Sequence, residues 1–149
     1  MYTKLCHKYR MWPECSDFYD DPKKLLDLGM YSETADELDI AIEMKWVSYC
    51  KDGSTTSYWL DAMVSDAVKL YRQKSSEQKY LMQFTFISKQ QYKQIDEMIV
   101  KTQEQFNEYI DKRTFRKGHV SNLLHKKFVT MNSDSEIYFV MLVWKIESF

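Results

Sequence analysis

The chain has 149 residues, a formal net charge of −1 and a hydrophobic fraction of 44%. This composition argues against an intrinsically disordered chain, and three Gly with two Pro are too few for a loop-rich all-β fold. We therefore expect one α/β domain over residues 1–149, built mainly from regular helices and strands.

The charges are divided unevenly along the sequence. Ten acidic residues and only two lysines lie between Glu14 and Glu43, whereas Lys112 to Lys127 contains several basic residues and no acid. Either the first region attracts cations and the second attracts phosphates, or both are ordinary solvated faces.

The cysteines and the apolar segments bear on the compartment. Cys6, Cys15 and Cys50 form no C-x-x-C pair, which indicates free thiols in a reducing compartment. The N-terminal residues include no apolar leader segment, and no stretch of the sequence has the apolar length that spans a bilayer. We expect a soluble cytoplasmic protein without a membrane partner.

The first quarter of the chain gives mixed signals. Residues 2–20 fit either a short helix or an irregular strand, and Pro13 interrupts both. Asp21 followed by Pro22 is typical of a helix start, and Gly29 suits a helix end, so the sequence predicts a short helix between them.

The stretch from Leu38 to Val47 alternates between apolar and charged positions. This period of two is typical of a half-buried β-strand, and it predicts that the charged side lies away from the core. A helix is the alternative, because Thr34 and Glu37 form a capping-box pattern. The unbroken alternation favours the strand. Its apolar side consists of Leu38, Ile40, Ile42, Met44 and Trp46, and its other side includes Asp39, Glu43 and Lys45.

The middle of the chain switches between helical and strand periods. After a polar turn, apolar residues at helical spacing predict a helix from Tyr58 to the polar stretch that begins at Gln73. Alternation predicts a strand over Tyr80–Ile87. A capping box of Ser88 with Gln91 then predicts one long helix that ends near residue 112.

Two strands are predicted at the end of the sequence. They cover Leu123–Met131 and Glu136–Ile146, and the polar residues N-S-D-S form a hairpin loop between them. The second strand is apolar on both sides, so we expect it inside the sheet.

One passage resembles a known superfamily. The strand D-I-A-I-E-M-K-W-V, the helix Y-W-L-D-A-M-V-S-D-A-V-K-L-Y and the strand Y-L-M-Q-F-T-F-I resemble the core of the PD-(D/E)xK, or restriction-endonuclease-like, superfamily. The similarity covers about residues 36–90. It implies a restriction-endonuclease-like mixed sheet flanked by helices, which binds Mg²⁺ or Mn²⁺ and hydrolyses phosphodiester bonds in nucleic acid.

The resemblance also implies roles for individual residues. Glu43 would be a catalytic metal ligand, Lys45 the motif lysine, and Asp39 the first acid and second metal ligand. Carboxylate oxygens suit Mg²⁺, and a lysine beside the ion can orient a water molecule or help to deprotonate it.

The position of the first acid departs from the usual pattern of the superfamily. That acid commonly lies on a neighbouring strand, so that both carboxylates reach one ion. Asp39 and Glu43 are four residues apart on one predicted strand, which separates them by roughly 13 Å. Either the strand bends, or an earlier acid such as Asp36 or Glu33 takes part, or the site is degenerate.

The functional prediction is a divalent-metal-dependent nuclease or a nuclease-derived nucleic-acid-binding protein. Arg113, Arg116 and Lys117 would then hold the nucleic-acid backbone. The alternative is a non-enzymatic interaction protein, such as an inhibitor or immunity protein, whose acidic region and many Tyr and Trp side chains cover a partner. In that case the charges of Asp39, Glu43 and Lys45 would form ordinary exposed pairs on a strand.

Overall fold

A computed structural model describes residues 9–16, 18–21, 23–32, 38–49, 57–73, 78–114, 121–130 and 136–147. The described chain forms six strands, β1 (Tyr9–Cys15), β2 (Leu26–Ser32), β3 (Leu38–Trp46), β4 (Gln78–Ser88), β5 (Ser121–Thr130) and β6 (Ile137–Ile146). It also forms three helices, α1 (Ser57–Arg72), α2 (Lys89–Tyr92) and α3 (Ile95–Thr114).

All six strands belong to one mixed sheet in the order β1-β2-β3-β4-β6-β5. The first three strands form an antiparallel meander, and β3 then pairs in parallel with β4. A parallel pair needs a long crossover connection, and α1 lies within it. Strand β6 pairs antiparallel with β4 on one side and β5 on the other, which confirms its interior position. The prediction of a mixed α/β architecture is confirmed.

The strand interpretation of the Leu38–Val47 stretch is correct. Strand β3 pairs with both β2 and β4, so its backbone groups find partners within the sheet. Pro13 causes no conflict in β1, because β1 is an edge strand and one of its sides needs no ladder hydrogen bonds.

The short helix predicted between Asp21 and Gly29 is wrong. Asp21 forms only a turn, in which its Oδ1 accepts a hydrogen bond from the Lys23 amide at 3.1 Å. The backbone then extends from Leu26 as β2, which pairs with β1 and β3. The Asp21 side chain accepts from a following amide as an N-cap residue would, but pairing with two neighbouring strands overrides the helical tendency of the residues that follow.

The long helix predicted after Ser88 is divided into two. The capping box of Ser88 and Gln91 is present and begins α2. The Gln94 amide then donates to the Gln91 carbonyl at 2.9 Å, a three-residue spacing that tightens the chain before α3 starts at Ile95.

The helices pack on one face of the sheet, which we call the helix face. The six apolar residues whose spacing predicts α1 are all buried there: Leu60, Met63, Val64, Ala67, Val68 and Tyr71. They pack with apolar side chains of α3, β4 and β6 in one hydrophobic core, and Trp144 and Phe106 are among its largest fully buried members. None of the helices in the described part of the chain has the length and apolar character needed to cross a membrane.

The prediction that the charged side of β3 lies away from the core is wrong. Glu43 lies on the helix face and is 4% exposed, whereas Met44 and Trp46 on the opposite face are 39% and 43% exposed. The inversion is possible because polar groups of α1 and of the segment before β2 reach the charges of β3 on the helix face.

A buried polar network ties α3 to the sheet. The Tyr49 hydroxyl accepts hydrogen bonds from Gln83 Nε2 at 2.9 Å and from Thr102 Oγ1 at 3.0 Å. Gln83 in turn accepts one from Trp144 Nε1 at 3.2 Å. Such a network fixes the position of a helix against a sheet, because each displaced member would leave a buried polar group unpaired.

Lys79 in β4 is a buried cation, and its Nζ has no hydrogen-bond partner among the described residues. Burial lowers the pKa of Lys79. We expect Lys79→Met to raise the free energy of unfolding by about 1–3 kcal/mol, because it removes an unpaired polar group and keeps most of the packing. Urea unfolding near neutral pH measures this change.

The matched control is Lys93→Met at an exposed position, which should alter stability by less than about 0.5 kcal/mol. In wild-type protein the depressed pKa means that the unfolded chain holds more protons as the pH nears 10.5, so stability should rise with pH there. Destabilisation by Lys79→Met would show that the amine has a stabilising partner.

Candidate metal and nucleic-acid site

Two carboxylates face each other across strands β2 and β3. Leu28 pairs with Ile42 in this antiparallel ladder, so the next step places Asp27 opposite Glu43. Asp27 is close enough to Glu43 to raise the pKa of the Glu43 carboxyl. Asp27 Oδ2 also accepts a hydrogen bond from the Met44 amide at 2.6 Å, which holds the end of β2 against β3.

Glu43 lies in a buried and negatively charged environment. Burial raises the pKa of Glu43 to about 8, against the opposing effect of a hydrogen bond from the Tyr19 hydroxyl to its Oε1. The hydrogen bond and charge of Asp27, and the charge of Asp66, raise this pKa further. Near neutral pH, Glu43 therefore keeps its proton for most of the time.

Lys45 and Lys69 meet at one buried carboxylate on α1. Asp66 is 4% exposed, and its oxygens lie 2.7 Å from Lys45 Nζ and 2.5 Å from Lys69 Nζ. The distance between Lys45 Nζ and Asp66 Oδ2 makes this contact an ion pair, although its geometry is not that of a hydrogen bond. Burial lowers the pKa of Lys45, but Asp66, together with the charges of Asp27 and Glu43, raises it by more, so Lys45 keeps its proton.

Tyr19 connects these buried charges to a surface pocket. Burial, followed by the charge of Glu43, raises the pKa of its hydroxyl, so Tyr19 stays a neutral hydrogen-bond donor. Its ring packs edge to face against Phe18 with centroids 4.7 Å apart. Tyr19 also lines a pocket of about 580 Å³ between the segment before β2 and the end of α1.

The pocket lining is rich in cations. Arg113 also pairs with Asp61 at 2.9 Å, and Lys24 lies 3.6 Å from Asp21. The pocket can therefore hold an anionic ligand, while its acidic members limit the net charge. Its basic lining residues are Lys24, Lys69, Arg72 and Arg113.

The structure brings some of the predicted site residues together and separates others. Glu43 and Lys45 share the helix face of β3, and Arg113 and Tyr19 line the same pocket. Asp39 lies at the other end of β3, four residues before Glu43, and the carboxylate that faces Glu43 is Asp27. Arg116 and Lys117 lie outside the described residues.

Sequence reasoning missed three residues of the site. Asp27 was assigned to the mistaken short helix, although the apolar residues that flank it, Leu26 and Leu28, are compatible with a strand. Asp66 falls between Met63 and Leu70 at helical spacing, and an acid on an apolar helix stripe indicates a buried partner. Tyr19 has no local signal, because only the fold places it beside Glu43.

The carboxylates form a pair, not a larger cluster. In the described ranges, no group of three His, Cys, Asp or Glu side chains is arranged to hold a metal ion. A cation at Asp27 and Glu43 would therefore take its remaining ligands from water or from a bound anion, a common arrangement for Mg²⁺.

Comparison with protein-family models, with curated proteins and with solved structures gives no match to this chain.

The raised pKa of Glu43 predicts a pH-dependent stability without divalent cations. Between pH 4.5 and about 8, Glu43 holds a proton in the folded state but has released it in the unfolded state. The contribution of Glu43 to stability is therefore complete below pH 4.5 and is lost as the pH rises through about 8. From about pH 5 to about pH 8, wild-type protein should lose roughly 3 kcal/mol of stability relative to Glu43→Gln. Urea unfolding in EDTA measures both proteins, and parallel pH profiles would contradict the assignment.

The ion pairs of Asp66 predict energetic coupling between α1 and β3. A double-mutant cycle of Lys45→Met with Asp66→Asn should give a coupling of about 1–3 kcal/mol, because the carboxylate is buried. The control cycle pairs Lys112→Met with Glu108→Gln, an exposed contact within α3 whose coupling should be much weaker. Equal couplings in the two cycles would show that burial adds nothing to the Lys45 pair.

Proposed function

We propose that this protein is a divalent-metal-dependent nuclease with a restriction-endonuclease-like fold. The observation that carries the proposal is the placement of Asp27 opposite Glu43 on adjacent strands, with Lys45 two residues further along β3 on the same face. We assign the first acid to Asp27 and not to Asp39.

The topology supports this assignment. The resemblance implies a first acid on a strand next to the E-x-K strand, and β2 is that neighbour. Asp27 precedes Glu43 by sixteen residues, so it also meets the longer interval that Asp39 fails to provide. An antiparallel meander, a helical crossover and a strand parallel to β3 surround the pair.

The donor set fits Mg²⁺ or Mn²⁺. Asp27 and Glu43 offer hard carboxylate oxygens, and proteins bind Mg²⁺ with one or two carboxylates together with waters and substrate phosphates. The charge of Asp27 disfavours a charged Glu43, and a cation bound at the two carboxylates would replace the proton of Glu43. When bound, the cation neutralises charge on a phosphate and lowers the pKa of its water.

Lys45 would act as a charged donor and not as a base. Its ion pair with Asp66 keeps it protonated, so it can donate to a phosphate oxygen or orient a water molecule, but it cannot accept a proton. Asp66 holds the Lys45 side chain in place from α1, and Lys69 in turn pairs with the Asp66 carboxylate. Asp66 is therefore a positioning residue.

Tyr19 would control access to the carboxylates. Its hydroxyl donates to Glu43 Oε1, so a cation at Glu43 must share this oxygen or displace the phenol. Because Tyr19 also lines the basic pocket, a phosphate in that pocket approaches the carboxylates past its ring. Lys24, Lys69, Arg72 and Arg113 give this route its positive charge.

Cation binding is the first test of the assignment. Calorimetric titration with Mn²⁺ should show one binding event that Asp27→Asn and Glu43→Gln each weaken at least about tenfold, because each variant removes one of two anionic ligands. Asp39→Asn is the matched control on the same strand and should bind as wild type does. Loss of binding in Asp39→Asn alone would return the first acid to Asp39.

Cleavage of single-stranded and double-stranded DNA and RNA with Mg²⁺ or Mn²⁺ is the second test. Activity should fall at least about a hundredfold in Glu43→Gln and Lys45→Met, since the first loses the ion and the second a charged donor. Asp39→Asn should remain active. Absence of cleavage and of Mn²⁺ binding in wild-type protein would overturn the proposal and favour the interaction-protein alternative.

Binding of nucleic acid to the pocket should depend on salt. Arg72→Ala is expected to lower the slope of log K against log salt by about 0.7–0.9, the effect of one lost phosphate contact. Lys93→Ala, on the exposed turn before α3, should leave the slope unchanged. Equal slopes for wild type, Arg72→Ala and Arg113→Ala would place the phosphate contacts elsewhere.

A further inference from the structure

The centre of the sheet face opposite the helices is apolar, and we call this face the open face. Lys145, which pairs with Tyr80, lies at one end of it. The central side chains of the open face do not belong to the hydrophobic core that the helices cover. The pairing register aligns neighbouring residues of β3, β4 and β6 on this face. Its centre is formed by Met44, Trp46, Met82, Phe84, Phe86 and Phe139.

An aromatic cluster occupies the middle of the open face. Trp46 and Phe86 have ring centroids 5.0 Å apart, and Phe139 lies 5.8 Å from Phe86 and 6.0 Å from Phe84. Trp46 and Phe86 nevertheless remain 43% and 46% exposed. The rings contact one another within the sheet while their outer surfaces meet solvent.

Exposed apolar side chains are concentrated on this face. Of the nine large hydrophobic residues that are exposed in the described part of the chain, six lie on the open face. These six are Met11, Met44, Trp46, Phe86, Val129 and Ile137. Single exposed apolar residues are normally scattered over a protein surface, so their concentration on one face is unusual.

The size of the open face matches a protein interface. Six strands are separated by five spacings of about 4.8 Å each and are roughly 30 Å long, so the open face measures roughly 700 Å². The largest apolar patch of an ordinary monomer is about 300–600 Å², whereas each partner of a standard stable complex buries about 800 Å². The open face therefore has the area that a stable dimer needs.

The chemistry of the face suits a second copy of the same chain. The central residues carry no charge, so they cannot select a partner by charge complementarity. Two twisted sheets pack face to face about 10 Å apart with interdigitating side chains, and a two-fold axis brings identical patches together. Flexible side chains such as Met44 and Met82 can adjust to the bulky Trp46 of the partner.

We propose that two copies of this protein associate through their open faces into a two-fold symmetric sheet sandwich. This inference is independent of the proposed nuclease activity, because the carboxylates and the basic pocket lie on the helix side of the sheet. The sandwich would leave both sites outermost, one on each side of the dimer.

Sedimentation equilibrium from about 1 to about 100 μM protein tests the proposal, because dimerisation depends on concentration. Wild-type protein should approach twice the chain mass of 18.0 kDa, also in about 1 M NaCl, since salt does not screen contacts between the uncharged central residues. Trp46→Lys should raise the dimer dissociation constant at least about 30-fold by placing a charge at the centre of the interface.

The matched control is Trp12→Lys. Trp12 is 63% exposed, but its pairing with Gly29 places it on the helix face of β1, so its replacement should leave the dimer intact. Circular dichroism verifies that each variant is folded. A second variant, Phe86→Lys, should dissociate the dimer as Trp46→Lys does.

Three results would overturn the proposal. A wild-type protein that stays monomeric at about 100 μM has no such interface. A dimer that survives both Trp46→Lys and Phe86→Lys associates through another surface. Dissociation by Trp12→Lys to the same extent as by Trp46→Lys would show that the open face is not the contact.

Discussion

The ion pair between Lys45 and Asp66 is the contact on which the arrangement of the helix face depends. It joins the central strand β3 to the crossover helix α1 through a carboxylate that is almost fully buried. An unpaired charge at either position would be costly, so strand and helix stabilise each other only in the register that brings the two groups together. This register also fixes the direction of Glu43, which shares its face of β3 with Lys45.

Burial of these charges explains the electrostatics of the candidate site. Asp27, Glu43 and Asp66 are three acids close to two lysines, and among the described residues both lysines form their ion pairs with Asp66. Glu43 accepts a hydrogen bond from the neutral Tyr19 and lies beside the acid Asp27. In the proposed function, a divalent cation would supply positive charge where the two carboxylates meet.

The distribution of polar groups also divides the sheet into two chemically different sides. Polar side chains under the helices find partners, as Gln83 does with Tyr49 and Trp144. The opposite side collects aromatic and methionine side chains that the helices do not cover. A sheet that also carries apolar groups on its uncovered face departs from the usual distribution, and a second layer on the open face would restore it.

The sequence by itself determined the regular elements with strong periodicity. Helix α1, strands β3, β4 and β6, and the capping box at Ser88 follow from the spacing of apolar residues and from local hydrogen-bonding side chains. The sequence also singled out Glu43 and Lys45, because an acid and a lysine two residues apart on a strand point to the same side.

Only the tertiary structure decided which side of β3 is buried and which acid faces Glu43. Alternation specifies two faces but not their environments, which depend on the polar groups that α1 and Tyr19 bring to one of them. Asp27 became the partner of Glu43 through the pairing of β2 with β3, a contact between residues that local propensities do not encode. Strand pairing and buried charge compensation are long-range interactions, and they decided what the local pattern left open.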